Sequence, residues 1–281
     1  MMNMETNRRS TVDNNNELFD IAKRDDIIAI CYSTWFNPIL DEAGDGEPPN
    51  NSKILAGEGE WGRLYGFHYW GKPALGYYRS DDKTVIRQHM LWLEDAGIDF
   101  IILDNTNVAL AWKHMPSAGS EKAYWTTMVS EPMKALLDTI VEMRSEGIDT
   151  PPVVNWCAND DNWSVVNAML DEFNSIPEYK DIWVYWDGKP FFITTNGKGY
   201  TRDDITRRVM WGLYGNNMPG SVLTGNKLPV GEWSFLDVPS LVSCDAAGNT
   251  EQVGVCVAAQ RTYMSNTETA IGRRGGQTFY E

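Results

Sequence analysis

Hydrophobic and polar positions form their clearest pattern in the segment that runs from Ser80 to Asn107. Apolar side chains recur there at intervals of three and four residues, at Val85, Ile86, His89, Met90 and Leu93. This spacing predicts an amphipathic helix. Ser80, Asp81 and Asp82 can cap its first turn, and Gly97 follows it as a stop signal.

A buried strand is predicted directly after this helix. The apolar run from Phe100 to Leu103, which follows Ile98, is too continuous for a strand with one face in water. Asp104 and Asn105 end the run. Because α/β enzymes place their chemistry at the carboxyl ends of parallel strands, Asp104 is a candidate for catalysis and Asn105 for substrate binding.

Strand-like and helix-like segments alternate along the rest of the chain. The predicted strands cover 26–33, 98–103, 152–156, 190–195, 232–237 and 252–259. The predicted helices begin near Ser80, Ser130, Asn162 and Thr201, and the last of them ends near Gly215. This alternation favours parallel strands joined by right-handed crossovers, which is an α/β fold.

Two α/β architectures compete for this pattern. A doubly wound sheet usually carries a glycine-rich phosphate loop directly after its first strand, and the residues immediately after Ser33 form neither GxGxxG nor GxxxxGK[ST]. Long aromatic-rich loops after the strands favour a TIM-barrel-like (β/α)8 fold. With about six strands, the barrel is expected to be incomplete. We expect residues 1–24 to form a disordered tail and residues 25–281 a single barrel-like domain.

Charge and composition exclude some classes of partner. With a net charge of −15 over 281 residues, the chain lacks the basic clusters that nucleic acids and anionic membranes attract. No apolar stretch is long enough to span a membrane. The first twenty residues lack the apolar segment of a signal peptide, so we expect a cytoplasmic protein, or a secreted or periplasmic one if a leader has been lost.

Metal and cofactor sites are not expected either. The four cysteines are widely spaced and predict free thiols, and the three histidines form neither HxH nor HExxH. We therefore predict no metal site and no organic cofactor.

The aromatic content points to another class of ligand. Twelve tryptophans and twelve tyrosines offer flat faces that can pack on sugar rings, although core packing accounts for most of them. Several aromatic, amide and imidazole side chains fall at predicted strand ends or in the first long loop. The candidate substrate-binding residues are Trp35, His68, Tyr69, Asn105, Asn155 and Asn196.

The segment from Leu75 to Asp104 resembles the family 99 glycoside hydrolases and their looser relatives. The matching positions are Tyr78, Ser80, Asp82, Val85, Ile86, His89, Met90, Ala96, Gly97 and Ile98. The run from Asp187 to Pro190, placed before a strand, agrees as well. The resemblance implies a barrel that acts on glycosidic bonds, with α-linked, mannose-type or related glycans as substrates.

The chain departs from this family at the catalytic motif. The family carries its catalytic glutamates in an Asn-Glu-Trp motif on a late strand, and this chain has only a Glu232-Trp233 step that comes earlier. The resemblance therefore implies a truncated member whose motif would follow Glu281. Since most glycosidases need two carboxylates, the candidates within the chain are Asp104, Glu232 and Asp237.

The preferred hypothesis is a glycoside hydrolase-like protein whose partner is an oligosaccharide or polysaccharide. A non-catalytic carbohydrate-binding barrel has the same aromatic loops without an acid/base pair. An inactive truncated remnant is the third alternative.

Overall fold

A computed structural model describes residues 18–62, 66–116, 121–158, 163–195, 202–211, 228, 230–235, 242–255, 273–274 and 277–278. The chain divides into two compact units. The first unit comprises Met1–Phe191 and Asp203–Thr206, and the second comprises Phe192–Arg202 and Arg207–Glu281. The single domain that the sequence predicts over residues 25–281 stays a prediction.

The strands in chain order are β1 Ala29–Tyr32, β2 Phe100–Asn105, β3 Val153–Cys157, β4 Tyr185–Trp186, β5 Lys189–Thr194, β6 Thr206–Trp211, β7 Glu232–Ser234, β8 Val242–Cys244, β9 Thr250–Val253, β10 Arg273–Arg274 and β11 Gln277–Thr278. The α-helices are α1 Phe36–Ala43, α2 Asn51–Leu55, α3 Lys83–Asp95, α4 Glu131–Ser145 and α5 Ser164–Met169. Short 3-10 helices cover Ile21–Lys23, Leu110–Lys113 and Pro177–Ile182, and π-helical turns cover Thr126–Ser130 and Leu170–Asn174. Within the described ranges, no helix has the length and apolarity that a membrane span requires.

The first unit is organised around β2. This strand pairs in parallel with β1, where Ile30 faces Ile101, and in parallel with β3, where Leu103 faces Asn155. β5 follows β3 in the strand order, and β4 forms an antiparallel hairpin with β5. Phe100 to Leu103 are all buried, as the continuous apolar run predicts.

Helix α3 has the predicted boundaries. The Asp82 carboxylate accepts hydrogen bonds from the amides of Thr84 at 2.8 Å and Val85 at 3.3 Å. Gly97 adopts a φ of +72°, a left-handed conformation that side chains disfavour, and the helix ends before it. Ile86 and Met90 form the buried face of this helix, which packs against α4.

The second unit contains the end of β5, then β6 and β7, which pair in parallel with Val209 facing Glu232. The fold class is α/β, as predicted, with six parallel strands consistent with an incomplete (β/α)8 barrel. One predicted element was wrong, since residues 206–211, predicted as helix, form β6. Of the predicted strand 252–259, residues 252–253 belong to β9, which pairs antiparallel with β8, and residues 256–259 lie outside the described residues.

Buried polar contacts hold the β8–β9 hairpin on β7 within the second unit. The Glu251 carboxylate accepts from the Arg208 guanidinium through two hydrogen bonds of 2.6 and 2.7 Å, and from the Trp233 indole at 2.6 Å. The Gln252 amide pairs with the backbone of Ser234 in both directions, at 3.0 Å each. A Cβ on Gly254 would lie 2.5 Å from the Ser234 hydroxyl, so this close approach requires glycine.

Residues 18–24, which fall within the tail predicted over residues 1–24, make long-range contacts in the structure. Phe19 is buried, and its carbonyl accepts from the Tyr185 amide at 2.8 Å. The Asp20 side chain, with 6% exposure, accepts from the amides of Asp187 at 3.0 Å and Gly188 at 2.8 Å in the β4–β5 turn. These long-range contacts, which local composition does not reveal, order the segment.

We predict that Asp20→Ala lowers the free energy of unfolding by about 1–3 kcal/mol, because the turn amides lose their acceptor. Urea unfolding followed by circular dichroism measures the change. Asp25→Ala is the matched control, since Asp25 is exposed five residues along the same segment. Equal stability of the two variants would contradict the role assigned to Asp20.

Candidate functional site

The carboxyl ends of β1, β2 and β3 meet at one edge of the parallel sheet in the first unit. Asp104 and Asn105 end β2, and the chain leaves β1 through Ser33 and Thr34 toward Trp35. This edge is where ligands bind in open and closed α/β folds. The candidate site is therefore built from these strand ends and from the loop that follows β1.

Asp104 is partly buried and held in one orientation. Its Oδ1 atom accepts a hydrogen bond from the Thr106 amide at 2.9 Å, which forms a local turn after β2. Desolvation raises the pKa of the Asp104 carboxyl above its usual value, although the hydrogen bonds from Thr106 act in the opposite direction. A carboxyl of this kind keeps its proton to a higher pH than an exposed aspartate does.

Trp35 connects the end of β2 to the first long loop. Its indole Nε1 donates to the Asp104 carbonyl oxygen at 3.0 Å. Its ring packs against Phe67 with 5.4 Å between centroids and an interplanar angle of 56°. Trp35 therefore lies at the predicted strand end, and it contacts Phe67 of the first long loop.

The strand register separates the candidate residues onto two faces of the sheet. Leu103 pairs with Tyr32 on one side and with Asn155 on the other, so these three side chains share a face. The Tyr32 hydroxyl lies 2.9 Å from Nδ1 of His89 on α3, which identifies this face as the one covered by helices. Asp104 pairs instead with Trp156 on the opposite face.

Asn105 and Asn155 lie together on the helix-covered face. Asn105 is two residues from Leu103 and therefore on the same face, and its Nδ2 donates to Asn155 Oδ1 at 3.3 Å. Both side chains are buried, and Asn105 Oδ1 and Asn155 Nδ2 have no hydrogen-bond partner among the described residues. The two side-chain amides link β2 to β3 on the helix-covered face of the sheet. Asp104 lies on the other face.

Tyr69 and His68 are engaged within their own loop. Tyr69 is 2% exposed; its ring stacks on Phe36 at 4.5 Å and its hydroxyl donates to the Tyr78 carbonyl at 2.5 Å. The two ring nitrogens of His68 each lie 2.8 Å from a backbone carbonyl, of Gly66 and of Trp61. Both residues therefore support the shape of the loop.

The remaining candidates come from later in the chain. Glu232 lies on β7 in the second unit, where its carbonyl accepts from the Ser243 hydroxyl. Asn196 and Asp237 lie outside the described residues. Among the residues that the structure describes, no group of three or more His, Cys, Asp and Glu side chains is placed to hold a metal ion.

Trp156 pairs with Asp104 across the strands, Phe67 contacts Trp35 and Trp61 contacts His68; the sequence did not single these aromatic residues out. Trp156 follows Asn155 by one position, so period-two alternation along β3 was the signal that could have placed it opposite Asp104. For Phe67 and Trp61 the only signal was their presence in a long aromatic loop.

No protein-family model matches this chain, and no curated protein matches it. It is similar to a solved GH99 endo-alpha-mannosidase from Bacteroides thetaiotaomicron, with a TM-score of 0.41, 14% identity and coverage of 70% of this chain. A GH99 endo-alpha-mannosidase from the same organism in complex with BIS-TRIS-Propane gives a TM-score of 0.43, 13% identity and 75% coverage. The chain spans 58% of the length of each of these structures.

We predict that protonation of His89 destabilises the fold. Burial lowers the pKa of the His89 imidazole, and its Nδ1 lies within hydrogen-bond distance of the Tyr32 hydroxyl. Because the folded state binds this proton less readily than the unfolded state, its stability is complete above about pH 6.5 and falls as the pH drops below that value. Urea unfolding between about pH 7 and 5 measures the slope.

His89→Gln is the control for this slope, because glutamine can accept the Tyr32 hydrogen bond without titrating. The wild-type protein is expected to lose more stability on acidification than this variant does. An identical pH dependence in both would overturn the assignment to His89.

We predict that Asp104→Asn stabilises the protein at neutral pH. The raised pKa of Asp104 means that its charged form is disfavoured in the folded state, and asparagine keeps the acceptor for the Thr106 amide. The gain is expected above the folded-state pKa and shrinks as the pH falls through that pKa, and it is lost well below about pH 4, where the carboxyl is neutral in both states. Thermal unfolding at several pH values tests this, and a variant less stable than wild type at pH 7 would contradict it.

Proposed function

We propose that this chain is a glycoside hydrolase-like protein that acts on α-linked glycans, with its substrate at the carboxyl edge of β1 to β3. The observation that carries the proposal is the position of Asp104. Asp104 lies near the end of the central strand, and its carboxyl is partly desolvated. Trp156 is its cross-strand partner on β3, and the Trp35 indole donates to the Asp104 carbonyl oxygen.

The chemistry of glycoside cleavage fits a carboxyl in this environment. Departure of the leaving sugar requires a proton, which is commonly supplied by a carboxylic acid whose pKa has been raised by burial. Asp104 has such a raised pKa, and it lies on the face of the sheet opposite the helix-covered face. Aromatic rings that expose a flat apolar face suit the apolar face of a sugar, and the partly exposed Trp35 is hydrogen-bonded to the Asp104 backbone.

The glycan class rests on the resemblance between the segment from Leu75 to Asp104 and the family 99 glycoside hydrolases. In the structure, this segment forms the cap, helix and strand that lead to Asp104. Asp82 caps α3, Gly97 follows its end, and β2 comes next. The matching residues therefore serve to place one carboxyl at the sheet edge, which supports a carbohydrate ligand there.

Binding of a glycan without turnover is the second candidate. Most glycosidases use two carboxylates, and Asp104 is the single acidic residue within β1, β2 and β3. A lone carboxyl beside aromatic rings is sufficient to orient a sugar through its hydroxyl groups.

We predict that the protein binds α-linked manno-oligosaccharides and that Asp104→Asn weakens binding by roughly tenfold, the equivalent of one charge-assisted hydrogen bond. Titration calorimetry measures the affinity, and reducing-sugar release on an α-mannan and an α-glucan panel measures turnover. Release by the wild-type protein, lost in Asp104→Asn, supports the hydrolase, whereas binding without release supports the second candidate.

Asp95→Asn is the matched control, because Asp95 is an exposed aspartate in the last turn of α3, away from the carboxyl edge. It should leave affinity and turnover unchanged. Failure of the wild-type protein to bind or cleave any glycan of the panel would refute both candidates.

A further inference from the structure

We propose that the outer edge of β1 binds a second copy of this chain, with the two β1 strands pairing antiparallel about a two-fold axis. β1 stands at one end of the strand order in its sheet, and among the described residues it pairs with β2 alone. Its other edge is therefore open to a further strand. This assembly is independent of the proposed function.

β1 is exposed to solvent although its side chains are largely apolar. Its first three residues are exposed, Ile30 by 42%, and Ile28, which directly precedes the strand, is 56% exposed. Edge strands usually avoid pairing with other chains by means of a charged side chain, a proline or a bulge. The segment from Ile27 to Tyr32 carries neither a charge nor a proline, and its register with β2 is continuous. This edge therefore lacks the features that prevent association.

The strand register shows which backbone groups of β1 face the open edge. The Ile101 amide donates to the Pro152 carbonyl oxygen at 2.9 Å, so Ile101 bonds toward β3 and the next residue, Ile102, bonds toward β1. In a parallel pair, a residue bonds to the two neighbours of its register partner, and the partner of Ile102 is Cys31. Cys31 and, by alternation, Ala29 therefore turn their own N–H and C=O groups away from β2.

These outward groups are complementary to those of a second copy. In an antiparallel pair, alternate residues exchange both of their backbone hydrogen bonds with the residue directly opposite. When the two-fold axis passes beside Ile30, Ala29 lies opposite Cys31 of the second copy, and Cys31 lies opposite its Ala29. The outward groups of both residues then find partners. Because the same surface is used on both copies, the assembly closes as a dimer.

The side chains on the helix-covered face favour the same occupant. Ile30 shares this face with Tyr32, and at the axis it would meet Ile30 of the second copy as a close, non-hydrogen-bonded pair. Trp92 on α3 is 48% exposed, and its ring centroid lies 6.0 Å from that of His89, whose ring contacts Tyr32. One ring thus separates an exposed indole from β1. Pairing removes apolar surface of both copies from water, and β1 brings no like charges together.

Analytical ultracentrifugation of the full chain at increasing concentration tests the assembly. The mass of the wild-type protein is expected to rise to twice that of a single chain. Ile30→Lys should raise the dimer dissociation constant by at least about tenfold, because two charged side chains would face each other at the axis. Leu55→Lys is the matched control and should leave the dimer unchanged, since Leu55 is an apolar residue on α2 with 72% exposure.

A disulfide tests the register. Ile30→Cys would place two thiols in a close pair with about 4.5 Å between Cα atoms, within the roughly 4.4–6.8 Å that a disulfide spans. On mild oxidation this variant should give a dimer band in non-reducing electrophoresis that disappears with reductant. Ile28→Cys is the control, because the axis places position 28 opposite Tyr32 of the second copy, about 13 Å from its own counterpart. It should stay at the background set by the native cysteines of the wild-type protein.

Circular dichroism establishes that each variant is folded. A wild-type protein that stays monomeric at every concentration would overturn the assembly, as would equal association of the wild-type protein and Ile30→Lys. Equal cross-linking of Ile30→Cys and Ile28→Cys would overturn the two-fold register. Growth into species larger than a dimer would overturn the closed arrangement.

Discussion

Burial of β2 on both of its faces is the constraint on which the first unit depends. Residues from Phe100 to Leu103 are buried, and every backbone group in such a strand must find a partner within the protein. The parallel pairings with β1 and β3 meet that requirement and fix the register of all three strands. Asp104 stands where the apolar run ends, so the same burial that stabilises the strand also desolvates the carboxyl and raises its pKa.

Elements with strong local signals could be predicted from the sequence, and those defined by distant partners could not. Helix α3 has a side-chain cap at Asp82 and a left-handed glycine at Gly97, and both signals lie within or beside it. β6 was mistaken for a helix because Asp203 and Asp204 resemble a helix start and the apolar positions after them fit both periods. Its strand conformation depends on pairing with β7, a partner more than twenty residues away.

The edge of the sheet that carries the site was predictable, but the face and the exposure of each residue were not. Asp104 and Asn105 are neighbours in sequence, yet alternation along the strand puts them on opposite faces, and only the register with Tyr32 and Asn155 shows which face the helices cover. The aromatic loop poses the same difficulty. Tyr69 is buried against Phe36 while Trp61 is exposed, and composition gives both the same weight.

Contacts of buried side chains explain how the irregular segment after β1 keeps its shape around Tyr69. An irregular segment pays a conformational cost that regular hydrogen bonding does not offset. Here the compensation comes from buried side chains, chiefly Tyr69, and from scattered backbone pairs such as Tyr69 with Pro49. The Tyr69 ring stacks on Phe36 of α1 and its hydroxyl donates to the Tyr78 carbonyl, so this one buried side chain links the start of α1 to the segment that leads into α3.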